Sequence, residues 1–485
     1  MLWTFAWVAT IQVSRAEEVG SDMRIGVLSD IHVHLVPGEN PAKNGSLQRF
    51  RKALEYFRDR KVDGVLVCGD LTDQGLDIEL KAVADAWFDV FPGGRAQDGS
   101  PVVNLMHYGD HDAEVRFWTP REKNLLAECE RLGVTPVRSL AVGENRKSCW
   151  EAFFHEAWQP VQIKKVKGRT FVLAHFVRET VGWNEGLADI LASTGVATNE
   201  PFFYSQHRPF RGTWHAKWGE DAGKNENVLA RYPNAVVFSG HTHYTQTDDR
   251  MVWQKGFTAI SVGALKNQYV DRHHENGVLI PWIKTDSERD LDMPCVREDS
   301  CHSGMLMSIQ GDHVVMERRD FETGLALGPD IEFDVDVPAR LRGESVSAAS
   351  RKLRRLMPVF PSDATIRALR TQAISRRKRK FDAVRLEFPV ANAAGGHPRA
   401  YDYRVCAIAG DGRIVKERRV FSPSANRPEA FDKGPAFCLF DVKDLGGAVR
   451  FTVEARSCWG AVSAPLAVDY CLGKQVEPAK QEKGN

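Results

Sequence analysis

From residue 24 to about residue 245, short apolar runs alternate with longer amphipathic stretches. Five short runs are apolar enough to be strands buried on both faces: RIGVLSD (24–30), DGVLVCGD (63–70), PVVNLMHYGD (101–110), PFFYSQH (201–207) and NAVVFSGH (234–241). Between the first two, apolar residues recur at three- and four-residue steps, which predicts a helix with one buried face. They are Leu47, Phe50, Leu54 and Phe57. The pattern predicts an α/β fold with β-sheets flanked by helices.

The hydrophobic pattern changes towards the C-terminus. Strand-like runs continue to about residue 338, interrupted by a polar insertion at 270–300. From residue 357, short alternating runs are separated by Gly, Asn, Pro and Asp, which predicts an all-β sandwich of immunoglobulin or fibronectin type. We therefore predict an α/β domain over 22–338, a linker over 339–356, a β-sandwich over 357–471 and a disordered tail over 472–485.

Composition excludes some classes of partner and suggests a location. Lys and Arg number 65 against 64 Asp and Glu, so no global charge favours nucleic acid. The segment MLWTFAWVATIQVSRA (1–16) resembles a secretory signal peptide, with a simple apolar arm as the alternative. We expect an exported protein, periplasmic or extracellular. No other stretch approaches the ~18 apolar residues of a membrane span, so we predict no transmembrane segment. Oligomeric state is left open.

The nine cysteines include no CxxC pair and no Cys/His spacing typical of a zinc finger. Four of them lie close together in the C-terminal region, where disulfides would be reasonable in an exported protein. They are Cys406, Cys438, Cys458 and Cys471.

Each of the five predicted strands ends in a residue that can bind metal: Asp30, Asp70, Asp110, His207 and His241. In layered α/β sheets, the C-terminal ends of the strands lie along one edge, where ligands bind. Asp and His together suit Zn, Mn or Fe, and the lack of Cys ligands argues against a closed structural zinc site. The sequence predicts a metal site at this edge.

These strand ends belong to five short motifs in a fixed order. They are Asp30-Ile31-His32, Gly69-Asp70-Leu71-Thr72-Asp73, Gly109-Asp110-His111-Asp112, His207-Arg208-Pro209 and Gly240-His241-Thr242-His243. In this respect residues 24–330 closely resemble the calcineurin-like metallophosphoesterases. The glycines before Asp70, Asp110 and His241 are expected to let the backbone approach the metals closely.

The resemblance implies a layered metallophosphoesterase fold with two metal ions, of Mn, Zn or Fe. It assigns Asp30, His32 and His243 to the first ion. It assigns Asp110, His207 and His241 to the second ion, with Asp70 bridging both.

The resemblance also implies hydrolysis of a phosphate monoester or diester by a hydroxide that bridges the metals. His111 would protonate the leaving oxygen or neutralise charge, and Asp112 would fix its orientation. The partner is then a phosphorylated small molecule or macromolecule. The alternative is a non-catalytic surface-binding protein with a degenerate phosphoesterase domain. All seven ligand positions carry a side chain that can coordinate, which favours the enzyme.

Several residues keep two interpretations. His175 also ends an apolar run, but Arg208-Pro209 after His207 favours His207 as the ligand. Arg208 could bind the substrate phosphate or form a structural ion pair. The run at 210–218 could line the pocket or simply pack.

Asp110 is where the chain departs from the family motif, which has Asn at this position. An anion therefore replaces a neutral ligand, and we hypothesise that Asp110 is a ligand tuned to a different metal, such as trivalent iron. A damaged site is the alternative.

Overall fold

A computed structural model describes most of the chain. The described residues are 22–35, 38–113, 145–176, 186–211, 213, 224–266, 268, 302–341, 356–375, 379–391, 398–423, 434–447 and 449–471. The predicted signal peptide, the polar insertion, most of the linker and the predicted tail lie outside these residues. The proposed domain boundaries at those segments stay predictions.

The strands are, in chain order, β1 Met23–Leu28, β2 Gly64–Cys68, β3 Val103–His107, β4 Val161–Val166, β5 Arg169–Ala174, β6 Phe203–Gln206, β7 Val236–Ser239, β8 Val252–Gln254, β9 Thr258–Ser261, β10 Ser303–Gln310, β11 His313–Asp320, β12 Ile331–Asp334, β13 Arg367–Ile374, β14 Lys380–Phe388, β15 Asp402–Ala409, β16 Ile414–Phe421, β17 Ala436–Asp441, β18 Val449–Arg456 and β19 Leu466–Tyr470. The α-helices are α1 Gly45–Asp59, α2 Asp77–Val90, α3 Asp110–Ala113, α4 Arg146–Phe154, α5 Leu187–Ser193 and α6 Lys224–Leu229.

Strands β1–β12 form two six-stranded sheets. The first has the order β12-β11-β10-β1-β2-β3, in which β1, β2 and β3 are parallel. The second has the order β4-β5-β6-β7-β9-β8, in which β5, β6, β7 and β9 are parallel. The first sheet therefore has a parallel half that ends at the edge strand β3, and the second sheet has a parallel middle. The strand ends that carry the candidate ligands belong to these parallel strands.

The two sheets pack face to face, and helices cover their outer faces. One core contains Val27 of β1 and Leu66 of β2 together with Phe203 and Phe238 from the second sheet. Helices α1, α2 and α4 pack on the outer face of the first sheet, and α5 and α6 on that of the second. Because central strands are covered on both sides, they are apolar on both faces, as their sequences predicted.

The predicted α/β class with additional C-terminal β-sheets is confirmed. The five predicted strands correspond to β1, β2, β3, β6 and β7, and the predicted helix to α1. Its apolar residues Leu47, Phe50, Leu54 and Phe57 are buried. Asn44 caps this helix, since its Oδ1 accepts from the backbone N–H groups of Ser46 and Leu47 at 3.0 and 3.1 Å.

The C-terminal part is all-β. Strands β13-β14-β17 form one antiparallel sheet and β16-β15-β18-β19 another. One hydrophobic core includes residues of both sheets, for example Leu386 and Phe451. This part contacts the α/β part, where the Arg250 guanidinium lies 4.7 Å from the centre of the Tyr401 ring. The immunoglobulin or fibronectin assignment stays a prediction.

The cysteines and helices bear on two further expectations. The six cysteines within the described residues are free thiols, so the disulfides considered for the C-terminal region do not form among Cys406, Cys438, Cys458 and Cys471. Within the described ranges, no helix is both long and apolar enough to span a membrane.

Candidate metal centre

The candidate ligands meet at the edge where the parallel strands end. Asp30 follows β1, Asp70 follows β2, and Asp110 follows β3 as the first residue of α3. His207 follows β6 and His241 follows β7. Because the two sheets face each other, these five positions, scattered over more than 200 residues of sequence, lie together at one edge. Four of the five side chains are buried from solvent: Asp30, Asp70, Asp110 and His207.

The ligand atoms form two groups that share one residue. Asp30, His32, Asp70 and His243 make the first group, and Asp70, Asp110, His207 and His241 make the second. Within each group, the ligand atoms all lie within 4.8 Å of one another. These are the two predicted ligand sets, with Asp70 in both, as a bridging carboxylate requires.

The backbone at this edge is held in an unusual conformation. Eight non-glycine residues of the described chain have positive φ, and five of them are candidate ligands. They are Asp30, His32, Asp70, His241 and His243, with φ between 46° and 69°. The left-handed region costs energy for residues with a Cβ, and such residues concentrate at functional sites. The conformation turns successive side chains of each motif towards the cluster.

Glycines let the ligand loops pack against one another. A Cβ on Gly109 would collide with the carboxylate and backbone of Asp70, and one on Gly240 with Ser29 and Asp30. A Cβ on Gly69 would lie 2.6 Å from His207 Nδ1. The glycines therefore let one ligand loop approach another, and the expected approach of the backbone to the metals stays a prediction.

Contacts at Nδ1 fix which nitrogen of three histidines faces the cluster. His207 Nδ1 lies 2.7 Å from the carbonyl oxygen of Cys68, and His243 Nδ1 lies 3.0 Å from that of Lys266. His32 Nδ1 lies 3.2 Å from a carboxylate oxygen of Asp73. Since each partner is only an acceptor, the Nδ1 atoms carry protons and the Nε2 atoms face the cluster.

This orientation provides a test of whether the residues fit a metal. The Nε2 atoms of His32 and His243 are 3.1 Å apart. At this separation the two nitrogens share either a proton or a cation that both can bind. Asp30 Oδ1 lies 3.1 Å from His243 Nε2 and completes a donor set of nitrogen and oxygen atoms. The residues therefore fit a cation of the Zn, Mn or Fe type.

Three buried carboxyls add negative charge to the cluster. Burial raises the pKa of Asp30, but His243 and His32 more than offset it and hold that pKa well below its usual range. In the same way, His241 and His207 overcome burial and lower the pKa of Asp110. The Asp70 pKa is also lowered, against burial and the repulsion from Asp110. The cluster therefore presents ionised oxygens, the form that binds metal.

His111 lies beside the first group of candidate ligands. The backbone N–H of His111 donates to Asp70 Oδ1 at 2.9 Å, and its ring lies edge-on to that of His32, with centroids 4.5 Å apart. His111 Nδ1 lies 2.7 Å from the carbonyl oxygen of Asp73. The ring is thus beside the first group and is oriented through Asp73.

The role predicted for Asp112 needs correction. Its carboxylate accepts hydrogen bonds from the N–H of Gly109 at 2.7 Å and from the N–H and hydroxyl of Thr72 at 2.8 and 2.7 Å. It also accepts one from the N–H of Leu71 at 3.2 Å. Burial and Asp70 raise the Asp112 pKa to about 6, although these hydrogen bonds lower it. Asp112 therefore joins the loops that carry Asp70 and Asp110 and does not orient His111.

The contacts of His175 and Arg208 bear on the two interpretations that the sequence left open for each. His175 is fully buried among the rings of Tyr108, Trp150 and Trp158, and its Nδ1 accepts from the N–H of Tyr108 at 3.1 Å. It lies outside the two groups, whereas His207 is in the second. Arg208 donates to Asp110 Oδ2 at 2.7 Å, so the ion-pair interpretation describes its contact.

Sequence reasoning gave little weight to Asp73 and missed Lys266. Carboxylate oxygens of Asp73 lie 3.2 Å from Nδ1 of both His32 and His34, and Asp73 forms a third group with His32 and His111. The Lys266 ammonium donates to the carbonyl oxygen of His32 at 2.9 Å, and its backbone N–H donates to that of Asp30 at 3.1 Å. Lys266 follows β9, another parallel strand, and this position at the same sheet edge was the available signal.

The sequence model of the calcineurin-like phosphoesterases matches residues 23–245. These residues form a calcineurin-like phosphoesterase domain. The match spans all five motifs, from Asp30 to His243, and ends two residues after the last ligand. Strands β8–β12 of the two sheets follow the matched part of the phosphoesterase domain. No curated protein matches the chain.

Solved structures provide further comparisons. A dimetal phosphatase from Danio rerio is 12% identical, covering 64% of this chain and 99% of its own, with a TM-score of 0.36. A purple acid phosphatase from yellow lupin (Lupinus luteus) seeds is 14% identical, covering 65% and 53%, with a TM-score of 0.37. A 5'-nucleotidase precursor from Thermus thermophilus is 13% identical, covering 71% and 62%, with a TM-score of 0.28. At these low values, nothing about the chemistry of this chain follows from the likeness.

Proposed function

We propose that the protein is a binuclear metal-dependent phosphoesterase that hydrolyses a phosphate monoester or diester. The observation that carries the proposal is the pair of ligand groups that share Asp70. Asp30, His32 and His243 would hold one ion. Asp110, His207 and His241 would hold the other.

Two bound ions of this kind neutralise charge on a phosphoryl group and make water acidic enough to attack it near neutral pH. The residues of the chain orient the bridging carboxylate and provide a proton for the leaving oxygen. The Asp70 carboxylate lies between the two groups, with Oδ2 3.0 Å from His207 Nε2 and 3.6 Å from His32 Nε2. The backbone N–H of His111 fixes its other oxygen. Asp70 is therefore held in the orientation that serves both groups.

His111 is proposed to act on the leaving oxygen. Its Nδ1 is paired with the carbonyl oxygen of Asp73 and therefore carries a proton, so the protonated ring would donate from Nε2. Its ring is next to His32 but is not in either four-residue ligand group. A histidine in this position can protonate an alkoxide or neutralise charge on the transition state.

The alternative is a non-catalytic binding protein with a degenerate phosphoesterase domain. A decayed site would lose ligands, since nothing would maintain the costly left-handed backbone at five of them. All seven candidate ligands are present, and six are buried. These features favour the enzyme.

Export, the exact substrate and the identity of the ions are further parts of the proposal. We propose an exported protein on the strength of the apolar segment at 1–16. Nucleotides, phospholipids, phosphosugars and phosphoproteins are all candidate substrates, since fold does not determine the substrate. The test starts with metal analysis of the purified chain and continues with hydrolysis of a panel of phosphate monoesters and diesters. A chain that holds far fewer than two ions, or that cleaves none of the esters, would contradict the proposal.

A further inference from the structure

Asp110 uses its two carboxylate oxygens differently. Oδ1 points into the second group, 3.1 Å from His207 Nε2 and 3.4 Å from His241 Nδ1. Oδ2 receives a hydrogen bond from Arg208 Nη2 at 2.7 Å. Only Oδ1 is therefore directed at the position of the second ion, while Oδ2 is occupied by a cation of the protein itself.

Arg208 is held in place by contacts on both its backbone and its side chain. Its carbonyl oxygen accepts from Gln206 Nε2 at 2.6 Å, and the Gln206 side chain in turn accepts from the Tyr204 hydroxyl at 3.0 Å. Its guanidinium lies 4.9 Å from the centre of the Phe176 ring. The side chain is 30% exposed. Arg208 is thus a half-buried, supported partner of Asp110.

The pair is peculiar to the second group. Asp30 accepts from the backbone N–H of His241 at 3.1 Å, and Asp70 from that of His111 at 2.9 Å. Within the described residues, neither carboxylate forms an ion pair with a lysine or an arginine. Of the three cluster carboxylates, Asp110 is the one that carries an arginine.

An arginine on Asp110 changes the charge that the second ion meets. The Asp110 carboxylate adds one negative charge, and Arg208 adds one positive charge at hydrogen-bond distance. Together they supply an anionic oxygen at no net charge, so the second group needs no trivalent ion to balance Asp110. Sharing the carboxylate with a guanidinium also weakens Oδ1 as a donor and prevents Oδ2 from binding the ion.

We propose that Arg208 is a positioning residue that holds Asp110 as a one-oxygen ligand and sets the second site to a divalent ion. This inference rests on the proposed function, because it assumes that the second group binds metal. In this inference the Arg208 guanidinium balances the charge of Asp110, whereas the sequence-based hypothesis assigned that role to a trivalent iron ion. It also differs from a role for Arg208 in binding the substrate phosphate.

The test is a double-mutant cycle on metal affinity. The metal-free parent, Asp110→Asn, Arg208→Gln and the double variant are titrated with Zn²⁺, Mn²⁺ and Fe³⁺ by equilibrium dialysis. Asp110→Asn removes the anionic oxygen that faces the ion, so the second affinity for Zn²⁺ should fall about 10- to 100-fold. Arg208→Gln leaves the carboxylate uncompensated, so that affinity should rise about 10-fold and Fe³⁺ binding should rise more. Because Arg208 acts through the Asp110 carboxylate, Arg208→Gln should change the affinity less than about 3-fold in the Asp110→Asn background, so the double variant should resemble Asp110→Asn.

Two further variants make the result specific. Arg208→Lys keeps the charge and should keep Zn²⁺ affinity close to that of the parent. Arg231→Gln removes an exposed arginine elsewhere on the same domain and should change nothing. If Arg208→Gln leaves metal affinity unchanged but raises KM, Arg208 binds substrate and the inference is wrong. If the two single effects simply add, the pair does not act as a unit and the inference is also wrong.

The same titration separates this inference from the proposed function. A parent that binds no metal contradicts both. A parent that binds two ions and hydrolyses esters, but shows no coupling between Asp110 and Arg208, contradicts only the role of the pair.

Discussion

The two halves of the candidate metal centre are similar in ligands and different in support. Each has three residues of its own and shares Asp70. In the first half, all three are in left-handed backbone conformations: Asp30, His32 and His243. In the second half, only His241 is, because Asp110 begins a helix and His207 directly follows a strand. Regular structure therefore positions the second half, whereas strained loops position the first.

The charges around the two halves differ as well. The first half has an anion behind a histidine, since an Asp73 oxygen lies 3.2 Å from His32 Nδ1, and such a partner raises the basicity of a ligand. The second half has a cation on a carboxylate, since Arg208 donates to Asp110. One arrangement strengthens a donor and the other weakens it. We therefore expect the first half to bind its ion more tightly, and the two halves to fill in sequence.

The largest expected effect comes from the residue that the two halves share. Asp70→Asn removes one negative charge from both groups, so both ions should bind more weakly and turnover should fall by several orders of magnitude. Metal analysis and ester hydrolysis measure the two effects. The control is Asp85→Asn, an exposed carboxylate paired with Lys81 on α2. Two firmly bound ions in Asp70→Asn would show that the halves are independent.

The second expected effect concerns a residue that belongs to neither half as a ligand. His111→Asn should leave metal content unchanged but lower kcat about 10²- to 10⁴-fold for esters with poor leaving groups. Nitrophenyl esters should lose less, because their leaving oxygen needs no proton. An equal loss for both kinds of ester would remove the acid role. A loss of one ion would instead make His111 part of the first half.

The third expected effect tests the support of the first half alone. Asp73→Asn removes the carboxylate behind His32, so the affinity of the first half should fall about 10- to 100-fold while that of the second stays the same. Stepwise titration of the metal-free protein by calorimetry measures both. Asp334→Asn is the matched control, since Asp334 pairs with His313 on the surface at 2.8 Å. Equal losses in both steps would mean that the halves cannot be separated.

The smallest expected effect concerns His34, which contacts the same Asp73 carboxylate that lies behind His32. His34 Nδ1 lies 3.2 Å from Asp73 Oδ2, and the side chain is 36% exposed. His34→Gln should lower the affinity of the first half by only about 2- to 5-fold, as for the loss of one exposed hydrogen bond. His313→Gln serves as the surface control. An effect as large as that of Asp73→Asn would place His34 among the ligands.

Local sequence patterns predicted five of the parallel strands, the helix α1 and the order of the five motifs. These features follow from short-range rules: apolar runs of strand length, three- and four-residue apolar spacing, and a polar residue directly after each strand. The same rules indicated the C-terminal β-strands. Because the C-terminal ends of parallel strands share one edge, the ligand positions could be brought together before any distance was known.

Which side chains contact each other at that edge depends on tertiary packing. Asp112 turned to the backbone of Leu71 and Thr72, and Asp73 took over the orientation of His111. Arg208 reached Asp110, 98 residues away in sequence, because β3 and β6 end side by side across the two sheets. Such contacts depend on strand register, loop conformation and the packing of facing sheets, which no local pattern specifies. Local patterns therefore identify the candidate ligands, and tertiary packing sets the charges that surround them.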